Sequence, residues 1–329
     1  MIKNDNVKNR FLSVVKWLWL LLVIAGAIYY FYDHQEEITR LISELSPLRI
    51  ASSLGLLLLG KALIVLLVQF SIKTEGWDQN FSRTIGLYGI TSMGKYIPGG
   101  VWHFVGRISA YRLKGLNAKQ ITRVLILENY WLLSSAIAFG LLAIIAGRFN
   151  LITDLLNIPA TSLLQIGLAV IVIVTWAVSL FFLKSWMGRR TLKPLPSVPL
   201  IMVVGVSLWS LIGASFFVMF SNTDLSTAPL FGGGYAISWA IGYLAVFAPG
   251  GLGVREAVLA WLFASVAPVE FIAVYAAMNR IIWLVAELFY GLIGLVQKQE
   301  ILVGNAENKP RGDDVDDSPS HEIEIDEAR

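Results

Sequence analysis

The chain of 329 residues is 56% hydrophobic and only 15% charged, and it contains no cysteine. This composition is typical of a polytopic membrane protein, because several apolar runs are long enough to span a bilayer. The lack of cysteine excludes disulfide bonds, thiolate metal sites and cysteine nucleophiles. Its three histidines, His34, His103 and His321, lack the spacing of metal ligands, and the sequence predicts no metal and no other cofactor.

Charge divides the chain into two parts. Residues 299–329 contain 10 acidic and 3 basic residues and few aromatic ones, a composition that predicts a disordered tail. Residues 1–298 contain 23 Lys and Arg against 13 Asp and Glu, and we expect them to form a basic membrane domain beside anionic lipid headgroups.

Six apolar stretches predict full membrane-spanning helices, at about 11–32, 50–72, 124–147, 163–183, 198–220 and 271–297. The first stretch comes after the basic residues Lys3, Lys8 and Arg10, as the apolar part of a signal peptide does. It continues through Tyr32, however, and is therefore predicted to be an uncleaved anchor.

Two further segments, 84–112 and 229–267, each centre on a Pro-Gly-Gly tripeptide, and we predict that they form re-entrant hairpins. A helix over the 14 residues from Thr84 to Ile97 is roughly 21 Å long, too short for a hydrocarbon core of about 30 Å. The limb from Leu230 to Ala248 is longer, and a full crossing is left open for it.

Basic residues in the connections predict the orientation. One side receives 15 Lys and Arg, and the other receives 3. The basic side is predicted to be cytoplasmic, with both termini on it, in a protein integral to the cytoplasmic (inner) membrane.

The two tripeptides, Pro98-Gly99-Gly100 and Pro249-Gly250-Gly251, lie 151 residues apart. Residues 11–147 and 163–297 each contain span, span, hairpin and span, in opposite orientations. The fold class predicted is therefore an all-α polytopic membrane protein with an inverted-topology repeat. In transporters of this kind, interrupted apolar segments at matching positions mark the binding site.

A half-helix that begins after each break offers free N–H groups and the positive end of its dipole to an anion. Arg255 lies in the first turn after the second break and would add a guanidinium fork for a phosphate. The alternative that Arg255 pairs only with Glu256 or another acid, and so locks the fold, is left open. Lys95, His103 and Arg107 lie near the first break; for His103 core packing is favoured, and for Arg107 the cytoplasmic basic belt.

Other charges fall inside predicted spans, where ionisable residues are rare and usually paired. Lys61 is near the centre of its span, and Glu128 lies about one turn inside the third. Arg280 and Glu287 are seven residues apart, roughly 10 Å along a helix, and are not expected to pair with each other. Together with Arg255 and Glu256, these four residues predict an interior ionic network, and for Lys61 and Glu287 a purely structural role is left open.

The string from Phe247 to Ala257, FAPGGLGVREA, together with Gly94 to Gly100 and the helix of Arg280, resembles the lysylphosphatidylglycerol synthase transmembrane family, also called flippase-like. The resemblance covers roughly residues 10–298. It implies a domain that moves an aminoacylated phosphatidylglycerol between leaflets, beside a soluble domain that makes the lipid. We expect a stand-alone member without the synthase domain, for which a glycolipid or polyprenyl-linked lipid is an equal expectation. The positions that match the family pattern are Pro249, Gly250, Gly251, Gly253, Arg255, Glu256, Glu128 and Arg280.

The leading hypothesis is a translocase for an anionic phospholipid or a polyprenyl-phosphate-linked lipid, with no catalytic function and no nucleic-acid partner. No GxxxxGK[ST] motif is present, so transport would be passive or coupled to an ion gradient, with Glu128, Glu256 and Glu287 as candidate proton carriers. The residues predicted to bind the headgroup are Pro98, Gly99, Gly100, Pro249, Gly250, Gly251, Gly253, Arg255, Glu256, Arg280, Glu128 and Lys61.

Two other classes of function are kept. The first is a membrane glycosyltransferase acting on a lipid phosphate, for which Asp33, Glu36 and Glu37 are the acidic candidates in an outer loop. The second is a non-transporting scaffold subunit that binds a lipid- or glycan-synthesising enzyme. The sequence leaves the oligomeric state open, a homo-oligomer included.

Overall fold

The computed structural model describes residues 18, 21, 25, 28, 29, 32, 33, 35–44, 46–96, 101–147, 153, 159, 161–220, 224–245, 248–264 and 268–297. Within these ranges the regular structure is entirely helical, which confirms the predicted all-α class. The acidic tail and nearly all of the predicted first span, 11–32, lie outside the described residues, as do Pro98, Gly99 and Gly100.

Ten α-helices make up the described part of the fold. They are α1 (Gln35–Glu44), α2 (Pro47–Thr74), α3 (Phe81–Met93), α4 (Trp102–Leu113), α5 (Ala118–Gly147), α6 (Ser162–Gly188), α7 (Val198–Phe217), α8 (Ala228–Leu244), α9 (Val254–Phe263) and α10 (Val269–Val296). Short 3₁₀ turns occur at Gly94–Tyr96, Leu225–Thr227 and Pro249–Gly251. Serine and threonine fix several helix starts: the Ser46 hydroxyl accepts a hydrogen bond from Arg49 N, and Thr161 caps α6 in the same way.

Five of these helices are long and apolar enough to cross a membrane: α2, α5, α6, α7 and residues Phe271–Val296 of α10. They coincide with five of the six predicted spans, and we conclude that the chain is an integral membrane protein. The α6 helix is apolar on all sides and the least buried of the five, as expected for a peripheral helix that faces lipid.

Both segments centred on Pro-Gly-Gly form two short helices separated by a break. In the first, α3 has 13 residues and α4 has 12; in the second, α8 has 17 and α9 has 10. Even the longest of the four, α8, extends roughly 26 Å at 1.5 Å per residue, less than the hydrocarbon core of about 30 Å.

The first hairpin enters the bundle from the end where α2 finishes and α5 starts. Gln69, near the end of α2, donates a 2.7 Å hydrogen bond to the carbonyl of Gln79, just before α3. Arg123, near the start of α5, forms a bidentate pair with Glu75, just after α2. The starts of α3 and α5 therefore lie at the same end.

The second hairpin enters from the opposite end. Leu230, near the start of α8, packs directly against Gly147 at the end of α5. The tips of the two hairpins meet inside the bundle, where the 3₁₀ turn Gly94–Tyr96 contacts the turn Pro249–Gly251. Two broken helices thus approach each other from opposite ends.

The predicted halves interlock rather than fold side by side. The first limb of the first hairpin, α3, packs most extensively on α10, and the first limb of the second, α8, packs most extensively on α5. The equivalent helices α2 and α7 pack on each other. A two-fold repeat would produce this exchange of partners, but the inverted repeat and the count of six spans plus two re-entrant hairpins remain predictions.

Glycines permit the close approach at both exchanged contacts. Gly89 of α3 leaves room for the carbonyl of Tyr290 on α10, and Gly294 leaves room for the carbonyl of Gly86. On the other side, a β-carbon at Gly140 of α5 would lie 3.0 Å from the carbonyl oxygen of Gly233 on α8. Helices in membranes commonly approach each other through such small residues, because the hydrophobic effect does not drive helices together inside a bilayer.

Gly89→Ala tests whether this contact holds the first hairpin. The new β-carbon would collide with backbone atoms of α10, and we expect a loss of stability of about 1–3 kcal/mol, as for overpacked cores. The matched control is Gly55→Ala, since Gly55 is also helical but has no atom within 4 Å of an added β-carbon. Thermal unfolding in detergent, followed by size-exclusion chromatography, measures both. Equal melting temperatures for the two variants would contradict the proposed contact.

Candidate functional site

A cavity of about 410 Å³ lies where the tips of the two hairpins meet. Its polar wall contains charged and polar side chains from both predicted halves: Lys95, His103, Arg107, Glu128, Asn129, Arg255 and Glu287. Five aromatic residues line it as well: Tyr88, Phe104, Trp239, Tyr243 and Trp283.

The second break lies at the predicted tripeptide. Gly250, Gly251 and Gly253 have φ angles of 60°, 70° and 80°, a region that residues with a β-carbon rarely adopt. Pro249 is the first residue of the 3₁₀ turn, and the backbone N–H of Gly253 is capped by Glu256 Oε2 at 2.8 Å. These glycines let the chain reverse within the bundle and begin α9 at the cavity.

Arg280 of α10 holds the backbone of this break in place. Its Nε pairs with Glu256, while its two terminal nitrogens donate to the carbonyls of Gly250 at 3.3 Å and Gly251 at 3.1 Å. Neither Arg280 nor Glu256 lines the cavity. Both were predicted to bind the headgroup. In the structure Arg280 donates to carbonyls, and Glu256 accepts from an N–H, that the broken helix leaves without partners.

Arg255 reaches the cavity because two glycines leave space for it. Its aliphatic stem lies on Gly242, and its Nε would be 3.0 Å from a β-carbon at Gly251. The guanidinium lies 5.6 Å from the centre of the Trp239 ring. Its Nε is buried and has no hydrogen-bond partner among the described residues, and Glu256 is engaged with Arg280 instead. The predicted alternative of a pair between Arg255 and Glu256 is therefore not observed.

Two lysines share one carboxylate on the opposite wall. Lys61 is fully buried, and its Nζ lies 2.8 Å from Glu287 Oε1 and 4.3 Å from the centre of the Trp283 ring. Lys95, in the 3₁₀ turn at the first hairpin's tip, pairs with the same oxygen. Glu287 and Lys95 line the cavity, whereas Lys61 lies behind Glu287.

Arg107 is a cavity residue for which the sequence interpretation favoured another role. It lines the cavity, pairs with the buried Glu128 and lies 4.9 Å from the centre of the Tyr88 ring, and so its assignment to the cytoplasmic basic belt is wrong. His103, expected in the core, also lines the cavity. A signal was present, because His103, Arg107 and Tyr111 recur every four residues and share one face of α4.

The predicted ionic network exists in part. The pairs Lys61–Glu287 and Arg280–Glu256 form, but Glu128 pairs with Arg107 rather than with one of the predicted cations. The cavity wall and its paired residues hold four cations, Lys61, Lys95, Arg107 and Arg255, against two carboxylates, Glu128 and Glu287. Of these cations, Arg255 has no carboxylate partner in the described ranges, and a positive charge in a low-dielectric site attracts an anion.

Comparisons with known proteins add no identification. No family model matches the chain, and the search of curated proteins finds no matching relative. In the ranges that the structure describes, His, Asp and Glu side chains nowhere gather in groups of three that could hold a metal ion.

Glu287→Gln should destabilise the protein by about 3–5 kcal/mol, because it leaves a buried lysine without its counter-charge. The double variant Lys61→Met/Glu287→Gln should recover most of this loss, since it removes the stranded charge as well. Unfolding in detergent measures both changes.

The control for this prediction is Asp78→Asn, whose carboxylate is 67% exposed and pairs with Lys73 at 3.2 Å. An exposed pair of this kind contributes about 0–1 kcal/mol. Equal losses in Glu287→Gln and the double variant would show that Lys61 does not depend on Glu287.

Proposed function

We propose that the protein is a lipid translocase that holds an anionic headgroup in the cavity between the two hairpin tips. The observation that carries this proposal is Arg255, whose guanidinium lines the cavity and has no ion-pair partner among the described residues. Intramembrane charges that lack a protein partner are expected to meet a substrate.

The volume of the cavity suits a headgroup rather than a whole lipid. About 410 Å³ is near the lower end of the usual range of ligand sites, about 300–1,000 Å³. Val101 and Leu244 line the cavity and are also 52% and 57% exposed. In this proposal the acyl or prenyl chains leave between these apolar residues and remain in the bilayer.

The opposed hairpins suit alternating access. We propose six full spans and two re-entrant hairpins in an inverted repeat, with the basic end of the bundle cytoplasmic, as the distribution of Lys and Arg predicts. Opening of one hairpin would then admit the headgroup from one leaflet, and opening of the other would release it to the opposite leaflet. The resemblance to the flippase-like family implies the same class of activity.

A proton gradient could drive such a cycle through the cavity carboxylates. Glu128 and Glu287 are buried, line the cavity and each pair with at least one cation. Glu256, the third carrier predicted from the sequence, holds the second break through Arg280 and lies behind the cavity wall.

Arg255→Gln should slow translocation of anionic lipids by about tenfold or more, because a charged hydrogen bond contributes about 1.5–3 kcal/mol. Proteoliposomes with fluorescent phosphatidylglycerol, polyprenyl phosphate and phosphatidylcholine measure the rates. Arg190→Gln is the matched control, since Arg190 is exposed and lies 4.6 Å from the centre of the Trp186 ring, away from the cavity.

Two outcomes would contradict the proposal. If Arg255→Gln and Arg190→Gln move anionic lipid equally fast, Arg255 does not bind the headgroup. If folded wild-type protein moves none of the three lipids, the glycosyltransferase and scaffold hypotheses replace the translocase.

A further inference from the structure

Both carboxylates on the described part of the cavity wall already pair with cations of the protein. Glu128 pairs with Arg107. Glu287 pairs with both Lys61 and Lys95. A ligand ammonium at either carboxylate would displace a protein cation, and a buried charge that loses its partner is strongly destabilising. The second oxygen of Glu287 is buried without a hydrogen-bond partner in the described ranges, but an ammonium there would lie beside two lysines of like charge. Neither carboxylate is therefore suited to bind a cationic group of a ligand.

Three aromatic rings of the wall also lie beside cations of the protein. The pairs, with the distance from the cation to the ring centre, are Arg107–Tyr88 at 4.9 Å, Arg255–Trp239 at 5.6 Å and Lys61–Trp283 at 4.3 Å. All three rings are buried. Of the other two rings, Tyr243 stacks on Trp239 with the ring centres 5.1 Å apart. The ring of Phe104 lies 4.0 Å from that of His103. An aromatic cage binds an ammonium ligand through open ring faces, and these buried, occupied rings do not form one.

Arg255 gives the cavity the opposite preference. Its guanidinium lines the cavity and has no carboxylate partner among the described residues. A guanidinium is well matched to the oxygens of a phosphate. In a headgroup that joins an ammonium to its phosphate by a short linker, the ammonium enters the cavity with the phosphate. There it approaches Arg255 and Arg107, which carry the same charge.

We propose that the cavity binds the phosphate of an anionic headgroup at Arg255 and rejects headgroups that also carry an ammonium group. Specificity of this kind comes from like charges and from partners that are not available to the wrong ligand. Phosphatidylglycerol and polyprenyl phosphate then fit, whereas phosphatidylethanolamine and an aminoacylated phosphatidylglycerol do not. The last of these is the lipid that the family resemblance implies. This inference rests on the proposed headgroup site and narrows its substrate class.

Two lipids that differ only at the amine test this selection. They are phosphatidylethanolamine and its N-acetyl derivative, which have the same acyl chains and the same phosphodiester. Acetylation removes the positive charge of the amine. The dissociation constant of each lipid is measured by thermal stabilisation in detergent, and its translocation rate with a fluorescent acyl chain in proteoliposomes. Phosphatidylglycerol and lysylphosphatidylglycerol form a second pair for the same measurements.

We expect wild-type protein to bind the N-acetyl lipid about tenfold or more tightly than phosphatidylethanolamine, because like charges brought together oppose binding. Arg107→Gln should abolish or reverse this preference, because it leaves the carboxylate of Glu128 for the ammonium of the lipid. Arg112→Gln is the matched control and should keep the wild-type preference, since Arg112 is on the same helix α4 but is exposed and outside the cavity.

Arg255→Gln is a second variant, and it leaves no carboxylate without its observed partner. It should weaken binding of the N-acetyl lipid more than binding of phosphatidylethanolamine, because it removes the attraction to the phosphate and the repulsion of the ammonium together. It therefore tests the inference even where Arg107→Gln does not fold. Equal binding of the two lipids by wild type, or a preference that Arg255→Gln leaves unchanged, would overturn the inference.

Binding and transport separate this inference from the translocase proposal. If the N-acetyl lipid is preferred but neither lipid is translocated, the selective site stands and the translocase proposal fails. If wild type binds and translocates both lipids equally fast, the translocase stands and the inference fails. N-Acetylphosphoethanolamine is the soluble probe. Stabilisation by it that equals stabilisation by the N-acetyl lipid would assign the site to a soluble phosphate ester and overturn the lipid origin of the ligand.

Discussion

The structure depends on one constraint, which is that charges and unpaired backbone groups inside a bilayer must find partners within the protein. Two broken helices meet at the centre of the bundle, and each break leaves carbonyls and N–H groups without helical partners. Arg280 satisfies two of these carbonyls, and Glu256 satisfies the N–H of Gly253. Most of the buried charged residues of the site therefore either hydrogen-bond the backbone of a break or form an ion pair beside it. Arg255 does neither.

Each predicted half contains an ion pair between its hairpin and the span that follows, and the charges are reversed between the halves. In the first half, Arg107 on the second limb of the hairpin pairs with Glu128 on the span that follows. In the second, Glu256 on the limb pairs with Arg280 on the span. The repeat offset of 151 residues brings Glu128 to position 279, next to Arg280. Each pair ties a hairpin to its own half and is neutral in itself, so neither pair supplies a counter-charge for Arg255.

The sequence predicts the breaks and the spans, because glycine, proline and apolar length act locally. It also predicts that Lys61 requires an interior partner and that Arg280 and Glu287 do not pair, since helix geometry sets their spacing. It does not predict which carboxylate meets which cation. Lys95 and Glu287 are 192 residues apart, and their contact depends on how α3 packs against α10. The position of Arg107 was interpreted differently for the same reason, because proximity to a predicted helix end does not reveal that its side chain lines the cavity and pairs with Glu128.

A single helix, α10, holds both hairpin tips. Arg280 binds the carbonyls of the second break, and seven residues later, roughly 10 Å along the helix, Glu287 binds Lys95 at the first. The α3 and α9 limbs also pack on α10, each from a different hairpin. Because Arg280 and Glu287 belong to one rigid element, a displacement of α10 that loosens one tip must change the contacts of the other. Coupling between sites needs such an element whose position both sites influence. If the two hairpins open in turn, as the proposed translocation requires, α10 is an element that contacts both of their tips.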